Sequence, residues 1–572
     1  MKSSLLRCLA GWCLFSVVSV AQGQDSRAVA PAETRPLAAS APTSRVYQPP
    51  GRTYPMPGAD MGELPLKDWT SPSALRDFGV DLAKRLLPND AGAVWIGVLV
   101  MVLVGAAWRP FRLKRNLECA ALLALAPFYV HLIDRQSTLD LSPATRPAYV
   151  LCFTGIYVLT AWWWIRGFFG SRRAGPPAED APPAAISGRT LKACALSLVL
   201  LNVFIIGVRR PDDCGHYVNL GAQRMLERAS WPYGDKALLG GAAATYGPML
   251  YVVNAGVLKL RADPTPNRPD TLPDPAFGYV RPPEWAAKAT TGVFHGLALL
   301  ALWLIGRRLR GPDSGWALVA LYAGSPYVLG LGGEATIVTG TGYVSHVAPA
   351  AMVLLAFAAL PVPFLAGVLL NVAVATGYFP AFFWPAWSAY FGTRKKGDGL
   401  KFQLGFFLMG AVVIGALWFG TERANGRNPV DLFLEGSIAH QEDPDQYGSS
   451  TLSFFGAHPE MKRLIRSPIL GGERFRMLTP VFLLAAGFSA AGFLLGRRRT
   501  PAQLAFLTAA TIACVQLWKH HASGTYVEWY YPLLLIGVFA GVRPPDGTEP
   551  PIVAASAPAA PETSVVEAAP LS

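Results

Sequence analysis

Residues 209–251 read RRPDDCGHYVNLGAQRMLERASWPYGDKALLGGAAATYGPMLY. They follow an apolar run at 191–208 and lead into a second, shorter one at 246–260. The placement of that second run decides the fold. As a helix, about fifteen residues rise roughly 22 Å, well under the ~30 Å of hydrocarbon in a bilayer. The run is therefore expected to lie on, or dip into, one membrane surface rather than to cross it.

The rest of the chain tests this placement through its charge. Apolar runs recur at 92–108, 117–133, 147–168, 191–208, 286–306, 314–330, 346–360, 363–377, 380–392, 401–420, 478–496, 501–518 and 526–542. With 92–108 running inward, the inside connections hold Arg109, Arg112, Lys114 and Arg115, then Arg172, Arg173, Arg189 and Lys192, then Arg307, Arg308 and Arg310. Arg394, Lys395, Lys396 and Lys401 follow, and then Arg497, Arg498 and Arg499. Every second connection is basic, as the positive-inside rule requires, provided that 246–260 does not span. Residues 209–285 and 421–477 then form outer loops, and 519–526 a short outer turn.

Composition agrees. The 572 residues are 52% hydrophobic and only 15% charged, which excludes a string of soluble domains. Fifty basic against thirty-seven acidic residues leave +13, and the excess sits in loops rather than on a compact basic face, so a nucleic-acid partner is not expected. No Walker A loop, GxSxG, HExxH or GxGxxG occurs. Of seven cysteines, only Cys214 falls in an expected aqueous loop, and no disulfide framework or metal pair is present. No cofactor is implied.

The expected organisation has five parts. Residues 1–23, with Lys2 and Arg7 before an apolar run and Ala21-Gln22-Gly23 after it, read as a signal peptide or first anchor. Residues 24–90 are a Pro/Ala-rich extracytoplasmic segment with a short amphipathic helix near 73–87. Residues 91–190 are accessory transmembrane helices, 191–542 the main membrane domain and 543–572 a disordered cytoplasmic tail. The fold class is an all-α polytopic membrane protein of about 11–13 transmembrane helices with juxtamembrane helices on the outer face.

The opening stretch carries the candidate chemistry. Val218, Ala222, Met225, Leu226 and Ala229 share one stripe, and Asn219, Gln223, Arg224, Glu227 and Arg228 take other faces. This predicts an amphipathic helix along the outer surface. Asp212 and Asp213 stand at its start, where bilayer meets water. One of them also serves as an N-cap on a purely structural reading. Arg209 and Arg210 set guanidinium groups beside the carboxylates, suited to a phosphate; snorkelling anchors at a span end give the same pattern.

A second group is Lys519-His520-His521, followed by Tyr526, Glu528, Trp529, Tyr530 and Tyr531 at the start of the last span. His520 and His521 beside aromatic rings would contact sugar hydroxyls or a phosphate, and an interfacial aromatic belt is the alternative. Adjacent histidines diverge, so no metal site is expected. Glu334 and His346 flank another outer segment. His295 lies inside an apolar span, where an imidazole is either functional or bonded between helices.

Asp213 with Tyr217 four residues on, Gly221, the Trp231-Pro232-Tyr233 turn and Thr245-Tyr246-Gly247-Pro248 resemble the first outer loop of GT-C membrane glycosyltransferases. The likeness points in particular to glycosyltransferase family 87, the polyprenol-phosphate-mannose-dependent mannosyltransferases. It continues through residues 367–385, around Gly377-Tyr378-Phe379-Pro380, and from Tyr447-Gly448-Ser449-Ser450 to Phe455-Gly456. Gly247 stands where the family has a proline, and no basic residue lies between Asn371 and Pro380, where the family usually has one.

The resemblance implies a GT-C-like catalytic membrane domain over 191–542. Such an enzyme takes a sugar, a hexose such as mannose, from a polyprenyl-phosphate donor and transfers it with inversion to a hydroxyl of a glycan, lipid or protein. It works at the outer face of a bacterial inner membrane. Asp213 would be the base, with Asp212 in reserve. Arg209, Arg210, Tyr217, Tyr246, Arg474, His520 and His521 would hold donor phosphate or sugar, with Arg463, Arg466 and Arg476 near Arg474. Guanidinium groups neutralise a single phosphate, so no divalent cation is required. The rival readings are a secondary transporter, which places ionisable groups near the bilayer midplane, and a non-catalytic assembly protein of the cell envelope.

The topology is directly testable. In a cysteine-free background, Gln223→Cys should react with a membrane-impermeant maleimide added to intact cells, and Lys396→Cys only after the membrane is opened. The reverse pattern would invert the register.

Overall fold

A computed structural model describes residues 99–100, 104, 146–169, 187–208, 211, 213–233, 246–260, 273–274, 279–280, 284–329, 344–420, 428–434, 499–518 and 527–540. The described elements are α1 (Arg146–Phe169), α2 (Gly188–Val208), α3 (Asp213–Arg228), α4 (Pro248–Leu260), α5 (Glu284–Arg310), α6 (Pro312–Ala323), α7 (Pro326–Leu329), α8 (Val344–Ala358) and α9 (Pro363–Thr376). A 3-10 turn (Phe379–Phe383) precedes α10 (Trp384–Gly392), α11 (Asp398–Gly420), α12 (Pro429–Leu434), α13 (Pro501–Trp518) and α14 (Val527–Ala540). Pro273–Asp274 (β1) and Tyr279–Val280 (β2) form a two-residue antiparallel pair. The expected signal, the 73–87 helix, most of the span at 92–108, the spans at 117–133 and 478–496, and the tail lie outside the described residues.

Local sequence sets the helix ends. Pro312, Pro363 and Pro501 begin α6, α9 and α13, where a missing N–H costs nothing. Thr500 and Gln503 cap α13 reciprocally, with Thr500 N–H donating to Gln503 Oε1 (3.0 Å) and Gln503 N–H to Thr500 Oγ1 (3.2 Å). Gly311, at φ 90°, makes the left-handed turn that joins α5 to α6 within a single residue.

The chain is an all-α membrane protein. Among the described residues, three helices are long and apolar enough to cross a bilayer: Gly188–Gly207, Glu284–Leu309 and Asp398–Gly420. α2 and α11 turn rows of large apolar side chains outward, among them Leu200, Phe204, Leu404, Phe407, Leu408 and Ile414. In water such rows would drive aggregation; against lipid they are matched.

Several expected spans are shorter than predicted. The run at 314–330 divides into α6 and α7 around Gly324 and Ser325, and 380–392 is a 3-10 turn followed by a nine-residue helix. α8, α9 and α14 have 15, 14 and 14 residues, roughly 21 Å of helix each, and so do not match the bilayer alone. The run at 246–260 forms the 13-residue α4, buried against α3, α5 and α9.

The described basic connections gather at one end of the bundle. Arg308 donates to the Ala358 carbonyl that ends α8, and Arg394 to the Leu360 carbonyl just beyond it (3.0 Å). Arg499 donates to Gly167 near the end of α1 (3.2 Å), and Lys192 lies 5.6 Å from the Trp316 ring. The last carbonyls of a helix lack intrahelical donors and carry partial negative charge, so cations settle there. At the opposite end lie α3, α4, α12, the last turns of α9 and α11, and the first turns of α8 and α14.

α3 is the expected amphipathic helix, with two corrections. Its apolar face packs onto α4, α5 and α8 rather than onto lipid, burying Val218, Ala222 and Met225. Asn219, expected off the apolar stripe, is fully buried, and Ala229, expected on the stripe, is exposed. Ala229 ends the helix at φ 50°, which swings it off the helical face.

α9 and α11 approach closely through two glycines. A Cβ on Gly367 would collide with the Phe402 carbonyl, and one on Gly405 with that of Phe364, whereas Gly415 faces open space. Gly405→Ala should therefore cost about 1–3 kcal/mol in thermal unfolding of the detergent-solubilised protein, as overpacking does. Gly415→Ala should leave the midpoint nearly unchanged.

Candidate functional site

The two halves of the 209–251 stretch meet at the end opposite the basic connections. α3 opens at Asp213, of which the backbone alone is described, and Tyr217 follows one turn later on the same face. The Tyr217 ring lies 6.4 Å from that of Tyr246, and both are half-buried. Tyr246 is fixed by its backbone: its carbonyl accepts the Tyr233 hydroxyl (2.8 Å), and its N–H donates to the Tyr251 hydroxyl (3.1 Å). Gly247, next in the chain, rests on the last turn of α9, where a Cβ would strike Ala375 and Thr376 backbone atoms. The absence of a side chain there brings the α4 start against the turn at Gly377-Tyr378-Phe379.

The Trp231-Pro232-Tyr233 turn is clamped to the end of α11. Trp231 donates from its backbone N–H to Gly420 (2.7 Å) and from Nε1 to the Ala416 carbonyl (2.7 Å). Tyr233 sits edge-on to Tyr251 (5.9 Å) and to Phe433 of α12 (5.1 Å), and Phe433 in turn meets Tyr378 (6.4 Å). Burial, then the neighbouring phenols of Tyr251 and Tyr378, push the Tyr233 hydroxyl well above the ordinary tyrosine range. It therefore stays protonated and keeps donating to Tyr246.

Of the other expected site residues, Arg209, Arg210, Asp212, Arg474, His520 and His521 lie outside the described residues. So do Glu334, Lys519, Tyr526 and the arginines near Arg474. Lys288 was not expected. It donates to Gly207 at the end of α2 (3.0 Å) and pairs with Glu284 at 3.6 Å, which sets an ammonium group two residues before Arg209. Its signal in the sequence was a lone lysine in the first turn of the expected span at 286–306.

The group at 528–531 is not an interfacial belt. Glu528, Trp529, Tyr530 and Tyr531 are all buried in the bundle. Tyr530 packs 5.7 Å from Trp163, and the Tyr531 hydroxyl donates to the Leu321 carbonyl (3.1 Å). Trp529 stacks on Phe379 (4.0 Å, 18°) and meets His346 edge-on (5.9 Å). His295 is buried in α5 beside Tyr322 (5.9 Å), a residue the sequence reading missed because a lone tyrosine in an apolar run has no motif. Among the described residues, no three metal-ligating side chains come together.

No family model matches the chain, and neither the curated proteins nor the solved structures contain a match.

The Tyr233 network gives a pH prediction. A group whose folded pKa is raised contributes stability that is complete below its unfolded value, near 10, and is lost as pH rises through the folded value. The thermal midpoint of the detergent-solubilised protein should hold at pH 9 and fall at strongly alkaline pH. In Tyr233→Phe, the midpoint should be lower at neutral pH and show a weaker alkaline loss.

Proposed function

We propose that this chain is a membrane glycosyltransferase of the GT-C kind. It moves a hexose such as mannose from a polyprenyl-phosphate donor to the hydroxyl of a glycan, lipid or protein acceptor. The observation that carries this reading is the juxtaposition of the loop motifs. The helix opening at Asp213 brings Tyr217 against Tyr246, and Gly247 seats that segment on the paired-segment turn at Gly377-Tyr378, away from the basic connections. If the basic end faces the cytoplasm of a bacterial inner membrane, these residues face outward, where a flipped lipid-linked sugar resides.

The chemistry asks for one base and one patch of positive charge. The acceptor oxygen attacks the anomeric carbon while the Asp213 carboxylate takes the hydroxyl proton. The bond from that carbon to the phosphate oxygen breaks, and polyprenyl phosphate leaves with the electron pair. Asp212 is the reserve base. Arg209, Arg210 and, from the second loop, Arg474 are the cations that would offset the leaving phosphate, with His520 and His521 beside the sugar. Tyr217 and Tyr246 offer ring faces and hydroxyls to the sugar.

Secondary transport is the second reading, favoured by the burial of His295, His346 and Glu528 inside the bundle. The two diverge at Asp213. With normal expression and folding, Asp213→Asn should abolish sugar transfer from a purified polyprenyl-phosphate hexose, a loss of at least roughly a hundredfold for removal of a general base. Mass spectrometry of copurifying lipid should find that donor. Retained transfer sinks the base assignment, and a chain that neither carries nor binds the lipid sinks the reading.

A further inference from the structure

We propose that His295, with Tyr322 beside it, forms a subsite inside the bundle that binds hydroxyl groups of an uncharged sugar ring. The identification of the ligand as a sugar rests on the transferase reading above; the polar subsite itself does not.

The starting point is an imidazole with no hydrogen bond among the described residues. The His295 side chain is 2% exposed, and neither Nδ1 nor Nε2 has a hydrogen-bond partner among them. Unmet polar atoms are expensive in a dry interior, so two on one ring call for an occupant. A neutral imidazole presents one donor and one acceptor on different edges of the ring. Hydroxyl groups, which both give and accept, complement it. The Tyr322 ring lies 5.9 Å from the imidazole at 26°, and it makes no hydrogen bond to either nitrogen.

The surroundings select against an anion. Glu528, 1% exposed, lies in the first turn of α14, which packs against α5 and α6. His346 and the Trp529–Phe379 stack belong to the same layer. Arg308 reaches Ala358, fifty residues on, so the parallel helices α5 and α8 set His295 level with Ser345 and His346. Trp529 then ties α14 to His346, and Tyr322 ties α6 to His295. Among these described residues there is one carboxylate and no ammonium or guanidinium group, a setting that favours an uncharged ligand over a phosphate. A stacked aromatic pair beside a carboxylate and an imidazole instead suits a ring with a C–H face and a hydroxyl rim.

The layer is also where the helices end. α6 stops at Ala323, α9 at Thr376, and α8 and α14 begin at Val344 and Val527.

The test uses the full chain, labelled with nitrogen-15 histidine, in lipid nanodiscs. The His295 resonances are identified by their loss in His295→Gln. Methyl α-mannopyranoside should shift them saturably, and inorganic phosphate should not. Equilibrium binding of radiolabelled mannoside should weaken roughly threefold to tenfold in His295→Phe, as expected for the loss of a neutral hydrogen bond. His295→Gln, which keeps a donor and an acceptor, should restore most of it. An unmoved His295 signal, a phosphate response in place of the sugar response, or unchanged binding by His295→Phe would overturn the subsite. Asp213→Asn separates the two readings. Mannoside bound at His295 in a chain without transferase activity leaves the subsite standing alone, whereas active transfer with an unresponsive His295 removes only the subsite.

Discussion

A helix that stops inside a bilayer leaves carbonyls that water cannot reach, and the structure is organised around supplying their donors. α6 has only twelve residues. At its end, Ala323 accepts from Asn202 Nδ2 of α2 (2.8 Å), and Leu321 accepts from the Tyr531 hydroxyl of α14 (3.1 Å). The other terminus of the bundle uses arginine for the same purpose, with Arg308, Arg394 and Arg499 on the last carbonyls of α8 and α1. Short helices thus draw polar side chains into the interior as a condition of stopping there. The polar layer beneath the loops follows from that condition.

This arrangement separates two jobs. The aromatic cluster of Tyr217, Tyr233, Tyr246, Tyr251, Tyr378 and Phe433 holds the loop motifs in place through ring contacts and two backbone hydrogen bonds. The layer below, with His295, Tyr322, His346 and Glu528, holds polar groups in a setting almost free of water. Asp213 begins α3, the helix that carries Tyr217 into the aromatic cluster. Its position depends on a turn of α3 whose buried face is fixed by α4, α5 and α8.

Much of the helix frame could be read from residues alone, because its signals are local. Prolines at 312, 363 and 501 mark helix starts, and the brevity of the 246–260 run predicts an element too short to cross. Tyr217 and Tyr246 were singled out separately by the motif resemblance, and their rings lie 6.4 Å apart. The interior polar layer was harder to see. Glu528 to Tyr531 look like an interfacial belt because aromatic residues at a span start have the same composition whether they face headgroups or neighbouring helices. What buries them is contact with Trp163, Tyr327, His346 and Phe379, each more than a hundred residues away in the chain. Asn219 was misplaced for a related reason: an asparagine is assigned off the apolar stripe by polarity until a packed neighbour is known.

The Trp231 clamp has a mechanical consequence. Two hydrogen bonds couple the turn to the final residues of α11, and α11 is a helix whose outward rows of leucine and phenylalanine answer to lipid rather than to protein. A spanning helix of fixed length tilts when the hydrocarbon around it thins or thickens. The tilt displaces its ends most, and the Trp231 turn rides on one of them. A change of hydrocarbon thickness would thus be felt first at the Trp231 turn, through the two hydrogen bonds that tie it to Gly420 and Ala416.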